Sequence, residues 1–197
     1  MRSPLARLFY KRVELCLYDF LFPGEIPPSE ARIEAEHKVL DIASPDRDRI
    51  CEIQGSLLPL ERYARGEKCY LALHRGRPVS YIWGAAGPVG VDEIALAAQP
   101  GPAESYLYDA FTLEGWRGRN LYPSVLRRAL EDGREEGLRR MTIFVEAGNL
   151  ASRRGVEKAG FTLFQTLVCR RVLFFFRRST LLPPLEGHPP AVFVPRS

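Results

Sequence analysis

Several features are missing from this chain of 197 residues, and each absence excludes a class of protein. No apolar run approaches the ~18 residues that a membrane-crossing helix needs. The N-terminus has no uninterrupted apolar stretch, so we expect no signal peptide. There is no C-x-x-C pair, and the three histidines do not fall at metal-ligand spacing near any cysteine pair, so we expect no metal. No segment is repeated.

Charge of one sign is not concentrated either. The net charge of +4 arises from 28 basic and 24 acidic residues, which are interleaved. Nucleic-acid binding usually needs basic residues on one face, so we expect no nucleic-acid partner. The hydrophobic content of 46% is typical of a globular protein with its own core. The cysteines lie among apolar neighbours, as reduced thiols of a cytoplasmic protein do: Cys16, Cys51, Cys69 and Cys169.

The spacing of apolar residues predicts both strands and helices. Ser44 is predicted as the N-cap of a helical region that breaks near Pro59 and ends near residue 65. Gly137 is predicted as the C-cap of the strongest helix, which begins at Leu121. A further helix is predicted at 151–159, and strands are predicted at 8–20, 37–43, 68–74, 79–85, 93–98, 106–112, 141–145 and 161–176.

This order of elements predicts the fold class. Strand–helix–strand units imply parallel pairing, and hairpins imply antiparallel pairing. We therefore expect an α/β (α+β) fold, with one mixed sheet and helices on its faces. Residues 1–31 are predicted as a strand and loop extension of a single domain whose body is 32–178. Residues 179–197 hold five of the sixteen prolines and are predicted as a tail, in which 191–194 could add an edge strand.

One junction has the composition of an anion site. The predicted strand 106–112 is followed by a short loop with Arg117, Gly118 and Arg119, and the strongest helix begins directly after it. The first N–H groups of a helix have no partner within the helix, and together with the helix dipole they attract phosphate. The alternative is an ordinary strand–turn–helix connection.

A second segment strengthens the phosphate interpretation. Asn149 opens a run with Ser152 and then Glu157-Lys158-x-Gly160-Phe161. With Arg117-Gly118-Arg119-Asn120-Leu121-Tyr122, this run resembles the two motifs of the GNAT superfamily of acyl-CoA-dependent N-acyltransferases. The resemblance covers residues 32–176. It implies a mainly antiparallel sheet whose central parallel pair of strands is splayed apart.

The chain departs from the family pattern at three positions. Asn120 and Tyr122 replace two glycines of the phosphate loop, and Tyr122 is expected to reshape the groove. Asparagine tolerates unusual backbone angles, and backbone N–H groups bind pyrophosphate whatever the side chain. Val156 stands where many members of the family have a tyrosine that protonates the leaving thiolate.

The resemblance implies that acetyl-CoA or another acyl-CoA is a co-substrate. A backbone N–H of the strand at 110–112 would polarise the thioester, and Asn149 would hold the pantetheine arm. Arg153 or Arg154 would bind the 3′-phosphate of CoA. The expected acyl-CoA contacts are Phe111, Thr112, Arg117, Gly118, Arg119, Asn120, Leu121, Tyr122, Asn149 and Ser152.

The catalytic groups remain open. Asp109 is the first candidate for the base that deprotonates the amine, or it only binds the cationic amine; Glu93 and Glu146 are the next candidates. Tyr108 or Tyr122 could protonate the thiolate, although a thiolate with a pKa of ~8.5 needs no acid to leave.

The resemblance predicts an acetyl-CoA-dependent N-acetyltransferase (EC 2.3.1 class) that moves an acetyl group to a primary amine of a small molecule or a protein. The alternatives are a longer-chain N-acyltransferase on the same fold and a CoA-binding regulatory module without catalysis. We expect a cytoplasmic protein without a metal or a membrane span, and the resemblance allows a homodimer.

Overall fold

The structure is a computed structural model that describes residues 10–54, 58–172 and 176–196. Within these residues there are eleven strands and four α-helices, labelled in chain order. The strands are β1 (Tyr10–Leu21), β2 (Glu36–Leu40), β3 (Lys68–His74), β4 (Arg77–Ala85), β5 (Val89–Val91), β6 (Leu96–Ala98), β7 (Glu104–Thr112), β8 (Arg140–Glu146), β9 (Thr162–Val172), β10 (Phe176–Leu181) and β11 (Phe193–Pro195). The helices are α1 (Cys51–Gln54), α2 (Leu58–Ala64), α3 (Leu121–Glu135) and α4 (Leu150–Lys158).

Eight strands form one sheet in the order β10-β9-β1-β8-β7-β4-β3-β2. Neighbouring strands are antiparallel except for β7 and β8, which run parallel near the centre. The remaining strands form a small sheet in the order β11-β6-β5. The predicted fold class, a mainly antiparallel mixed sheet with a central parallel pair and flanking helices, is confirmed.

Strand β1 lies inside the large sheet, between β8 and β9. Both faces of β1 are covered. Leu15 and Leu17 belong to one apolar cluster, and Tyr18 and Phe20 belong to the cluster on the opposite face. Because apolar clusters cover both of its faces, β1 is a strand of the core.

Helices α3 and α4 pack on one face of the sheet. Five side chains at helical spacing form the buried stripe of α3: Leu121, Val125, Leu126, Ala129 and Leu130. After α3, Gly137 has a φ of 72°, and the N–H of Leu138 donates to the carbonyl of Gly133 at 2.9 Å. Gly137 therefore ends the helix in the left-handed conformation that the prediction of a C-cap requires.

The opposite face of the sheet is covered in two parts. The residues before and within α2 cover β3 and β4, and there Ile50 and Tyr63 share one apolar cluster with Trp83 of β4. The small sheet covers β1, β7 and β9 through a cluster that includes Val91. Tyr108 of β7 packs against both clusters, so it lies where the two coverings meet.

Ser44 does not cap a helix, so that prediction is wrong. The Ser44 hydroxyl donates to Asp41 Oδ1 at 2.7 Å and closes a turn, so its oxygen is directed back along the chain. The first helical turn is a short 3₁₀ helix, Arg47–Ile50, and Asp46 before it makes no side-chain cap bond because Lys38 holds its carboxylate.

Two strand predictions also need correction. Residues 161–176 are not one strand, because β9 and β10 pair antiparallel on either side of residues 173–175, which lie outside the described residues. Only the second half of the predicted strand 93–98 is extended, as β6. The edge strand expected within 191–194 is present as β11, which pairs with β6.

His37 of β2 is half-buried against α3. Its Nε2 atom lies 2.9 Å from Ser124 Oγ. Burial lowers the pKa of His37 below its ordinary value of 6.5, because the charged imidazolium loses its hydration there.

Candidate active site

The parallel strands β7 and β8 separate where the site begins. They are paired from Glu104 and Arg140 as far as Leu107 and Ile143, and no pair follows. Strand β7 continues to Thr112 and stays paired to β4 on its other side. The backbone of residues 108–112 therefore has one edge without a strand partner, and an extended ligand can occupy such an edge.

A β-bulge lies in this unpaired stretch. Tyr108 is opposite Trp83 and Phe111 is opposite Tyr81, so two residues of β7 face one residue of β4. The bulge includes Asp109, whose φ of 48° is unusual for a residue with a side chain. Bulges redirect backbone groups and side chains, and they are frequent beside active sites.

Two side chains from the α1–α2 region hold the Asp109 carboxylate. Gln54 Nε2 donates to Asp109 Oδ2 at 3.0 Å, and Arg62 Nη1 donates to the same oxygen at 2.5 Å. The Arg62 guanidinium is buried and lies 5.0 Å from the ring centres of Trp83 and Tyr108. Aromatic faces on both sides and one carboxylate fix this cation in the site.

Tyr108 and Glu67 form a second hydrogen-bonded pair. The Tyr108 hydroxyl donates to Glu67 Oε2, and Arg65 Nε donates to Glu67 Oε1 at 2.7 Å. Burial, with the neighbouring Glu67 carboxylate, raises the pKa of Tyr108 well above its ordinary value. The phenol is therefore protonated at neutral pH.

The loop before α3 presents a row of free backbone donors. In the described part of the chain, the backbone N–H groups of Gly118, Arg119, Asn120, Leu121 and Tyr122 donate to no other residue. Gly118 and Asn120 have φ values of 77° and 61°, and both are left-handed. This loop and the N-terminus of a 15-residue helix have the form of an anion site.

Side chains around the loop fix its path. Asn120 donates to the carbonyl of Glu30 and accepts from Lys158 Nζ at 2.8 Å. The N–H of Arg32 donates to the carbonyl of Arg119, whose guanidinium lies over the Trp116 ring. The side-chain amide of the left-handed Asn120 is thus hydrogen-bonded through both its nitrogen and its oxygen. The sequence pattern alone could not show this.

Tyr122 packs between α3 and α4 rather than projecting into solvent. Its hydroxyl accepts from Ser152 Oγ at 3.3 Å. Its ring lies against the backbone of Gly155, where an added Cβ would be only 2.6 Å from Tyr122 Cδ1. Burial raises the pKa of Tyr122 to about 12. The large side chain of Tyr122 in the first turn of α3 is accommodated by a glycine in the facing helix.

Asn149 is the N-cap of α4. Its Oδ1 atom accepts from the N–H of Ser152 at 3.1 Å, so Ser152 contacts both Asn149 and Tyr122. Asn149 is exposed at the end of β8, on the side where β8 has left β7. The two motifs that are separated in sequence are therefore joined in space.

Phe111, Thr112 and Arg117 lie at the end of β7. Phe111 is exposed, and its ring centre is 6.1 Å from that of Tyr81. The Thr112 hydroxyl is 2.7 Å from Ser80 Oγ, and Arg117 Nε donates to the carbonyl of Thr112 at 3.2 Å. Arg117 is therefore tethered beside the free N–H groups.

Four predicted or expected residues lie apart from this cluster. Glu93 is exposed in the β5–β6 turn, on the side of Tyr106. Glu146 is exposed at the end of β8. Arg153 donates to the Tyr18 hydroxyl at 2.9 Å, and Val156 is fully buried in the core below α4.

Three site residues were not predicted from the sequence: Gln54, Arg62 and Glu67. A charged residue in a short helix or turn normally indicates solvent exposure. Nothing local in the sequence shows that Arg62 and Glu67 are buried, because their partners are in β7, more than one element away. The described residues contain no group of three His, Cys, Asp or Glu placed to bind a metal, and none of their helices has the length and apolar content to cross a membrane.

Comparison with known proteins defines the class to which this fold and loop belong. The model of the acetyltransferase (GNAT) family matches residues 36–161, which is more than half of the chain. The chain therefore belongs to the GNAT acetyltransferase family. No protein of curated function matches it in sequence.

Solved structures share the fold at low identity. A GCN5-related N-acetyltransferase from Sphaerobacter thermophilus is 13% identical with a TM-score of 0.60; the match covers 85% of this chain and 54% of that one, so this chain spans about half of its length. A GNAT-family protein from Novosphingobium aromaticivorans is 15% identical with a TM-score of 0.52, over 93% and 70% of the two chains.

An aminoglycoside N-acetyltransferase, AAC(6')-Iy, was solved with the bisubstrate analogue CoA-S-monomethyl-acetylneamine. It is 13% identical with a TM-score of 0.51, over 66% of this chain and 92% of that one. At these identities the likeness is one of fold, and the acceptor has to be inferred from the site.

Proposed function

We propose that this protein is an acetyl-CoA-dependent N-acetyltransferase that transfers the acetyl group directly to a primary amine. One observation carries the proposal: a single strand–loop–helix unit, β7 to α3, combines an unpaired strand edge at 108–112 with unpartnered N–H groups at 118–122. Acyl-CoA carries its thioester on a pantetheine arm that is joined to a pyrophosphate. It therefore needs the strand edge for the arm and the N–H groups for the pyrophosphate, close together along the chain.

The pyrophosphate would bind the free N–H groups of the loop. Backbone donors and the helix dipole favour an anion at this point. Arg117 and Arg119 lie beside the donors and add positive charge, and Arg154 of α4 is exposed and available for the 3′-phosphate. Asn120 supports this role by keeping the loop in its left-handed turn.

The pantetheine arm would take the strand position that β8 vacates. Its amides can pair with the free edge of residues 108–112, as an added strand does. Asn149, at the opposite side of the gap, has its Oδ1 committed to the Ser152 N–H, which leaves its amide nitrogen to donate to the arm. Phe111 offers an exposed apolar surface next to that edge.

The acetyl group would lie at the bulge. A fixed backbone N–H there, within residues 110–112, would donate to the carbonyl oxygen as negative charge develops on it. Such a donor is already oriented, since Gln54 and Arg62 hold the bulge through Asp109.

Asp109 has two roles open to it, base or anchor for the amine, and its contacts favour the anchor. Both of its hydrogen bonds end on Oδ2, and its side chain is 36% exposed beside the bulge. The carboxylate is held in place by a buried cation, and Oδ1 is left to accept from the ammonium group of the acceptor.

Calorimetry and a thiol-release assay test the proposal in sequence. Acetyl-CoA and CoA are titrated into the full chain, and both are expected to bind. CoA release is then measured with ethanolamine, spermidine, tyramine, neamine and a tri-alanine peptide, so that small-molecule and peptide amines are both represented. Butyryl-CoA and octanoyl-CoA replace acetyl-CoA in a parallel series.

Each outcome selects one function. Release of CoA that depends on both acetyl-CoA and an amine supports the acetyltransferase. Faster release from a longer acyl-CoA moves the assignment to a longer-chain N-acyltransferase. Binding of CoA without turnover of any amine favours the non-catalytic CoA-binding module, which the valine at position 156 would suit. Absence of binding at millimolar CoA rejects every acyl-CoA function.

A further inference from the structure

Glu67 is a buried carboxylate whose two oxygens are used differently. It lies in the connection between α2 and β3 and is 5% exposed. Arg65 Nε fixes Oε1 at 2.7 Å, and Oε2 accepts the hydroxyl proton of Tyr108. A buried carboxylate that faces one tyrosine hydroxyl is placed to receive that proton.

Tyr108 connects this carboxylate to the proposed acetyl position. It is the last residue before the bulge and the first residue of the unpaired edge of β7. Its ring is held between the Arg62 guanidinium, at 5.0 Å, and the Tyr106 ring, at 5.8 Å. The backbone of Tyr108 is thus next to the bulge, and the hydrogen of its hydroxyl is directed at Glu67.

The oxygen of the Tyr108 hydroxyl has two lone pairs when its hydrogen is donated, and Arg65 hydrogen-bonds to this oxygen, so one lone pair is left for a ligand. It can therefore accept a proton from a group in the acceptor position while it passes its own proton to Glu67. Asp109 lacks this arrangement, because both of its described hydrogen bonds come from the permanent or fixed donors Arg62 and Gln54.

We propose that Tyr108 and Glu67 form a two-step proton relay that deprotonates the acceptor amine, with Tyr108 as the catalytic residue and Glu67 as the positioning residue that takes the proton through it. This inference rests on the proposed function. It assigns to Glu67 a role that the family motifs do not contain, and it changes the role of Tyr108 from acid to base.

The relay moves one proton from the acceptor amine to solvent before the acyl group is transferred. The ammonium group R–NH₃⁺ gives one proton to Tyr108 Oη while the hydroxyl proton moves to Glu67 Oε2, and Glu67 then releases it to solvent. The neutral amine attacks the thioester carbonyl, and an N–C bond forms. The C–S bond breaks with its electron pair on sulfur, and the second N–H proton passes to that sulfur. The products are the amide, the CoA thiol and one proton in solvent.

The charged neighbours of the relay are few. Arg65 faces both Glu67 and the Tyr108 hydroxyl from the end of α2. Arg62 lies over the Tyr108 ring, and Asp109 follows Tyr108 in β7. The opposite wall contributes Tyr106, with Glu93 of the β5–β6 turn near it. Apart from these groups, no titratable group of the described residues contacts the pair.

The test uses Glu67→Gln and Tyr108→Phe in the full chain, with the amine of the panel that is turned over fastest. A second phenol–carboxylate pair provides the matched control. Tyr70 donates to Asp132 Oδ2 at 3.0 Å on the α3 face, on the opposite side of the sheet from Tyr108. Tyr70→Phe and Asp132→Asn remove the same kind of hydrogen bond without touching the site.

Glu67→Gln and Tyr108→Phe are each expected to lower kcat by ~10²-fold at pH 7, the size of a general-base contribution. The deficit should shrink as the pH rises towards the amine's own pKa of ~10, because free amine then needs no base. The double variant should be no slower than either single variant, since both act in one relay. The dissociation constant of CoA should stay unchanged.

Loss of stability cannot imitate this result, because a merely structural role would lower the rate equally at all pH values. Tyr70→Phe and Asp132→Asn should keep the wild-type kcat and pH profile. If Glu67→Gln and Tyr108→Phe also keep them, the relay is rejected while the acetyltransferase stands. If the wild-type chain turns over no amine of the panel, the proposed function fails and the relay with it.

Discussion

Replacing Gly155 with alanine is expected to destabilise the wild-type chain but to stabilise a chain in which Tyr122 has been shortened to alanine. In a helix, alanine is better than glycine by ~0.8–1 kcal/mol. At this position, however, the new Cβ would lie 2.6 Å from Cδ1 and 3.0 Å from Cε1 of the Tyr122 ring. The sign of the effect therefore depends on whether the ring is present.

The magnitude follows from two opposing contributions. Overpacking a close contact costs ~1–3 kcal/mol, and the ring cannot easily withdraw because its hydroxyl is bonded to Ser152. Subtracting the helix gain leaves a net loss of up to ~2 kcal/mol for Gly155→Ala in the wild type. Once Tyr122 is alanine, only the gain of ~0.8–1 kcal/mol remains.

Urea denaturation of the wild type, both single variants and the double variant measures this cycle. The expected coupling free energy is ~1–3 kcal/mol, as is usual for residues in direct contact. Equal effects of Gly155→Ala in both backgrounds would refute the reasoning, because they would mean that the ring does not occupy the space beside Gly155.

Three other changes have defined outcomes. Gly118→Ala should weaken CoA binding several-fold in calorimetry, because a φ of 77° costs an L-residue ~1–2 kcal/mol. Gly115→Ala is the control and should leave the affinity unchanged, because Gly115 has open space around it and no positive φ. Equal affinities of the two variants for CoA would contradict the proposed role of the loop. The pKa of His37 is lowered in the folded chain, so near pH 6 the unfolded chain binds a proton that the folded chain does not, and the stability of the wild type falls as the pH drops below 6.5. His37→Gln should therefore make the urea midpoint depend less on pH between 7.5 and 5.5. A wild-type midpoint that does not change with pH would contradict this. Asp109→Asn should raise the KM of the amine ~10-fold, which corresponds to the loss of an ionic contact of ~1.4 kcal/mol. The pH profile of kcat should not change. A shifted pH profile would instead identify Asp109 as the base.

Sequence patterns predicted the parts of the fold that depend on neighbouring residues. The hairpin of β3 and β4, the apolar stripe of α3 and the left-handed Gly137 all follow from local spacing, and the structure has each of them. The prediction for Ser44 was wrong because the Ser44 hydroxyl can bond to either of two nearby groups, and Asp41 lies nearer than the N-terminus of a helix.

The site was predictable only where it is continuous in sequence. The loop at 117–122 and the segment that begins at Asn149 could be singled out because each contains a short motif. Arg62 and Glu67 were missed because their burial depends on how α2 packs over β7, and a buried arginine or glutamate has no local signature. The contact of Tyr122 with Gly155 likewise joins two helices and cannot be seen in either motif alone.

The interior place of β1 has a consequence for how the chain is made. Strand β1 is synthesised before its neighbours, but β8 and β9 lie more than two thirds of the way along the chain. A strand that is apolar on both faces must therefore wait, unpaired, while most of the other elements leave the ribosome. Such non-local pairing slows folding and exposes strand edges to wrong partners. Completion of the sheet, and with it the gap between β7 and β8 that we propose as the acyl-CoA site, depends on β1 meeting strands that are synthesised much later.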